Sequence, residues 1–111
     1  MLVKYLMPVL LAVFMPNAMA NAAEAASYVL TAKDGHFVPE TLELPAGQKV
    51  IVVVKNDGPG AEEFESSDLN REKVIAPGKN IEVILGPLKA GTYAFFGDFH
   101  PSTARGQIIV K

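Results

Sequence analysis

The chain has 111 residues, with 10 basic and 12 acidic side chains for a net charge of −2, two histidines and no cysteine. That length suits one domain with one core and not two. A mildly acidic balance without a basic patch argues against nucleic acid and anionic membranes as partners, and the missing cysteines exclude disulfide and thiolate chemistry.

In chain order, residues 1–20 read as a secretory signal. Lys4 supplies the positive start, Leu6–Phe14 an apolar stretch too short to cross a bilayer, and Ala18-Met19-Ala20 a small-x-small cleavage site. Cleavage after Ala20 and a periplasmic location are expected, with no stable membrane insertion afterwards. Losing Lys4 leaves nine basic against 12 acidic residues, a net charge of −3. All four methionines (Met1, Met7, Met15, Met19) leave with the signal, so residues 21–111 offer a metal no sulfur ligand.

Residues 21–26 are expected to be an Ala-rich, flexible lead, and residues 27–111 one domain. Ser27–Lys33 is rich in strand formers, Asp34–Glu40 is a turn-rich bridge, and Thr41–Leu44 alternates with period two. Lys49–Asn56 is the most apolar stretch of the domain and reads as a central strand buried on both sides. Glu62–Ser66 is extended. Ser66–Lys79 is polar, with a helical turn expected after Asp68 as a weak cap. Asn80–Leu85, Gly91–Phe96 and Gly106–Lys111 complete a set punctuated by Gly and Pro. About seven short strands with regular turn signals predict an all-β, Greek-key β-sandwich.

Among the chemically competent residues no nucleophile stands out, and no Gly-rich loop opens a helix to hold a nucleotide. The oxygen and nitrogen donors left are His36, Glu62, Glu63, Glu65, Asp98 and His100. In an extended Glu62–Ser66, Glu63 and Glu65 share one face while Glu62 and Phe64 share the other. Such a pair is either a solvated edge or a carboxylate clamp facing a cation. Asp98 and His100, also two apart, are expected to project from one side of an extended loop before the last strand. There they would offer ligands suited to iron, copper, zinc or manganese. His36 is a possible further ligand or a polar turn residue.

With these elements in place, the chain resembles the cupredoxins. The resemblance rests on Phe37-x-Pro-x-Thr-Leu-x-Leu-Pro-Ala-Gly47, Val52-Val-Val-Lys-Asn-Asp-Gly58, Ala76-Pro-Gly78, Gly91-Thr-Tyr93 and the closing His100-Pro…Gly106-Gln-Ile-Ile-Val110. It implies a copper-bearing scaffold. Of the family's copper positions, the loop histidine is His100; the earlier histidine falls at Glu62 or Glu63, the cysteine at Gly97 and the methionine at Thr103 or Ala104. A type 1 centre needs a thiolate and two imidazoles, so blue-copper electron transfer is not expected.

Glu62-Glu-Phe-Glu-Ser66 together with Gly97-Asp-Phe-His-Pro101 is similar to the periplasmic cupredoxin-like components of bacterial ferrous-iron transporters. These are the FtrB-like proteins and, more distantly, the N-terminal domain of EfeO, with which the chain shares Glu63-Phe64-Glu65. This narrower resemblance implies that Glu63, Glu65, Asp98, His100, His36 and Glu62 bind copper or iron, or both. It further implies a part in oxidising ferrous iron beside an inner-membrane iron permease and a periplasmic iron-binding protein. The alternatives are a non-catalytic iron or copper chaperone and a docking module of the transporter.

Overall fold

The computed structural model describes residues 25–111, so the expected signal and most of the lead lie outside the described residues. Nine strands follow: β1 (Ala26–Lys33), β2 (His36–Val38), β3 (Thr41–Leu44), β4 (Val50–Asn56), β5 (Glu62–Ser66), β6 (Arg71–Ile75), β7 (Asn80–Leu85), β8 (Gly91–Phe96) and β9 (Arg105–Val110). They form a four-stranded sheet in the order β2-β1-β4-β7 and a five-stranded sheet in the order β3-β9-β8-β5-β6. The β1–β4 and β3–β9 pairs are parallel, and the others antiparallel. The predicted all-β sandwich is therefore the observed fold.

Two strands were not foreseen. Asp34 and Gly35 both have positive φ (52° and 73°), the backbone a two-residue hairpin turn demands. The bridge thus folds β2 back onto β1, with Lys33 opposite His36. The second is β6, in the segment expected to contain a helical turn. Ser66 Oγ accepts the Leu69 N–H (3.2 Å) and Asn70 takes φ 54°, so residues 67–70 close a tight turn and the chain returns beside β5. Asp68 caps nothing; its carboxylate accepts the Ala94 N–H of β8 at 2.9 Å.

β4 lies inside its sheet, as expected, but is buried on one face only. Val50, Val52, Val54 and Asn56 are buried, while Ile51, Val53 and Lys55 are half-buried. The period-two pleat, not the apolar run, decides which side chains reach the core. Between the sheets, Phe37, Phe64 and Phe95 pack with ring centroids 5.3–6.3 Å apart. Phe64, fully buried, stands between the two glutamates whose carboxylates matter below. The core therefore fixes which way the acidic strand faces.

Candidate metal centre

β5 pairs with β6 at five positions but with β8 only at Glu65 opposite Phe96. Beyond that pair β8 ends, and the loop Gly97–Ala104 covers the Glu62 end of β5. The loop is a compact run of turns: the His100 N–H donates to Gly97 O, and the Ala104 and Thr103 N–H groups donate to His100 O. The expected extended loop, with Asp98 and His100 on one side, does not form, because turns do not obey period two.

Along β5 the alternation holds. Phe64 enters the core, and Glu62 turns toward the loop on the inner side. Glu62 Oε2 accepts from His100 Nδ1 at 2.7 Å, and Oε1 accepts the Glu63 N–H at 3.0 Å. Both oxygens of this buried carboxylate therefore have partners, as burial of such a group requires. His100 is half-exposed.

The outer face is different. Glu65 stands directly opposite Glu72 of β6, and carboxylate oxygens of Glu63, Glu65 and Glu72 lie within 4.8 Å of one another. Like charges opposed across a ladder destabilise it. Glu63 is only 5 % exposed, and its Oε1 has no hydrogen-bond partner among the described residues. Burial, with Glu65, Glu72 and Asp98 adding repulsion, raises the Glu63 carboxyl above the usual 4.5; a backbone hydrogen bond from Asp98 opposes the shift. Desolvation comes first for Glu65 as well, followed by Glu72 and Asp98, and its carboxyl is also raised. The three carboxylates thus converge, one of them buried with an oxygen that has no hydrogen-bond partner among the described residues.

The six candidates thus divide. Glu63 and Glu65 meet each other, with Asp98 near enough to repel both. Glu62 and His100 meet each other on the inner side. His36 opens β2 with its side chain exposed, opposite in sense to the buried Phe37. Glu72 was missed, because its approach depends on β6 pairing in register with β5. The one local signal was the β-branched Val74-Ile75 pair closing Arg71–Ile75, ahead of the Pro-Gly turn at 77–78. A groove of about 220 Å³ opens beside Glu65 and Glu72. An open cavity of about 340 Å³ lies beside Glu62 and His100, against the Asp34-Gly35 turn and the Gly58–Ala61 loop. Asn56 braces that loop by donating to Gly60 O and Ile75 O and accepting the Gly58 N–H.

The family described as the cupredoxin-like domain matches residues 5–110. The chain belongs to that family. An uncharacterized protein of Rickettsia prowazekii (strain Madrid E) is 49% identical over 82 residues, which are 74% of this chain and 66% of that protein. The chain thus spans just under two thirds of that relative's length. Auracyanin A, a blue copper protein of Chloroflexus aurantiacus, superposes with a TM-score of 0.68 at 15% identity, covering 79% of this chain and all of that one. A purple cupredoxin of Nitrosopumilus maritimus gives 0.59 at 21%, covering 79% of this chain and 100% of its own. At such identities the structural likeness establishes the fold alone.

Membership in the cupredoxin-like family suggests a copper-binding or electron-transfer-related role. The residues at the inner end do not fit a type 1 copper centre. The chain has no cysteine, and the Glu62 carboxylate already holds the inward nitrogen of His100. The outer donors, all carboxylate oxygens, fit a hard cation. Among the described residues no helix is long and apolar enough to cross a membrane.

Proposed function

We propose that this is a periplasmic metal-binding member of the cupredoxin-like family that takes iron as cargo at Glu63, Glu65 and Glu72 and takes part in oxidising Fe(II) for import. The buried, unpartnered Glu63 Oε1 among three carboxylates is the observation that supports a cation there. Hard oxygen donors prefer Fe(III) to Fe(II), and a site that holds the oxidised ion more tightly lowers its reduction potential. A tenfold preference corresponds to about 59 mV for one electron. The electron leaves to an acceptor outside this site; Cu(II) or dioxygen meets that need. Cu(II), which also accepts oxygen donors, is the ion expected to compete for the same carboxylates. An inner-membrane iron permease and a periplasmic iron-binding protein are the proposed recipients.

The test is aerobic loss of Fe(II) in the presence of the purified protein, with and without one equivalent of Cu(II). The expected result is oxidation faster than in buffer, abolished in Glu63→Gln. The exposed position of Glu72 and the open groove beside it also suit simple delivery. Stoichiometric iron binding with oxidation no faster than in buffer would replace the redox reading with that of a chaperone. Failure to bind iron at all would leave the docking-module reading.

A further inference from the structure

We propose that Glu62, with the Glu63 backbone carbonyl beside it, bars a thiolate-type metal centre from the inner end of this sandwich, by filling the space beside residue 97 and by holding His100. The inference does not rest on the outer carboxylates. Gly97 follows β8 directly, and a Cβ built there would stand 2.6 Å from Glu62 Oε1, 2.8 Å from Glu63 O and 3.1 Å from Glu62 Cδ. Real Cβ atoms essentially never stand under 3.0 Å from another atom; the shortest contact is to the Glu62 carboxylate, and the next is to the Glu63 carbonyl of β5, which stays whatever residue stands at 62. A side chain at position 97 therefore needs Glu62 to leave and the β5 backbone to yield by a few tenths of an ångström.

Glu62 is also firmly placed. Its Oε1 is tied to the Glu63 N–H and its Oε2 to His100 Nδ1, so swinging the carboxylate out would leave the buried Glu63 amide unpaired and give up the bond to the imidazole. The remaining inner positions are closed as well. Thr103 Oγ1 donates to Gly35 O at 2.6 Å, and Ala104, fully buried, has no side-chain donor atom. Gly35 packs close to the imidazole; a Cβ there would stand 3.2 Å from His100 Cδ2. The hydrogen bond between Glu62 and His100 therefore does what a metal would otherwise do at this end: it ties β5 to the Gly97–Ala104 loop.

The test compares Gly97→Cys with Glu62→His/Gly97→Cys in the full chain, each checked for a cooperative thermal transition and then titrated with Cu(II). We expect Gly97→Cys alone to melt lower than the parent protein and to show no intense thiolate-to-copper absorption. The double variant is expected to show that absorption and to recover part of the lost melting temperature. The same absorption in Gly97→Cys alone, or its absence from a folded double variant, would overturn the proposal. Should the double variant not fold, the imidazole 15N spectrum of the unaltered protein under Zn(II) titration decides. His100 Nδ1 keeping its resonance supports the proposal, and its shift to a metal-bound value overturns it.

Discussion

At the scale of the residue, two adjacent glutamates on one strand lead opposite lives. Glu62 has a hydrogen bond for each oxygen, whereas Glu63 is buried with one oxygen bare. Removing the Glu63 charge relieves repulsion from Glu65, Glu72 and Asp98, so Glu63→Gln is expected to raise metal-free stability at neutral pH by about 1 kcal/mol, a change of ordinary size for one substitution. Chemical denaturation at pH 7 checks the sign; a loss of stability would mean that the bare oxygen has a partner in solution. The pH dependence follows from the same cause. Glu63 and Glu65 titrate higher in the folded protein than their ordinary 4.5, so the folded state binds their protons more tightly than the unfolded state. Their contribution to stability is full below that value and is lost as pH rises through the raised values. Denaturation midpoints of the metal-free protein should show this fall, and it should vanish in the Glu63→Gln/Glu65→Gln double variant.

At the scale of the element, the join between β5 and β8 depends on side chains as much as on the ladder. Only Glu65 pairs with Phe96, and further along the turn takes over: Ser66 Oγ donates to Ala94 O at 2.6 Å, and the Asp68 carboxylate accepts the Ala94 N–H. Ser66→Ala removes one partner of a buried bond and is expected to cost about 1–3 kcal/mol, read by thermal melting. It should also weaken cation binding, since this turn sets the β6 register that brings Glu72 to Glu65. Unchanged binding would show that Glu72 is held by other contacts. This region was the least legible in the sequence. Asp68 before a polar run satisfied the rule for a helix cap, but its carboxylate found a distant strand amide that no local pattern announces. Likewise the Asp34-Gly35 turn carried a hairpin signal that was absorbed into a bridge, and β2 was lost with it. The outward facing of Glu63 and Glu65, by contrast, needed nothing beyond period two and a Phe64 that must be buried.

At the scale of the whole molecule, the sandwich separates two chemistries by the thickness of one strand. The strand-rich segments, punctuated at regular intervals by Gly and Pro, made the fold readable, because short strands joined by tight turns leave few alternatives to a sandwich. The site was readable only in part. Its members come from β5, β6 and the loop before β9, and their convergence depends on sheet order and on a turn-built loop. The central claim is that Glu63, Glu65 and Glu72 hold a hard cation on the outer face, and calorimetric titration of the metal-free protein with Fe(II) under anaerobic conditions tests it most directly. One equivalent is expected to bind to the unaltered protein and to His100→Ala, with binding weakened at least tenfold, about 1.4 kcal/mol, in both Glu63→Gln and Glu72→Gln. Binding that survives both glutamine variants but disappears in His100→Ala would contradict the account and place the metal at the inner end.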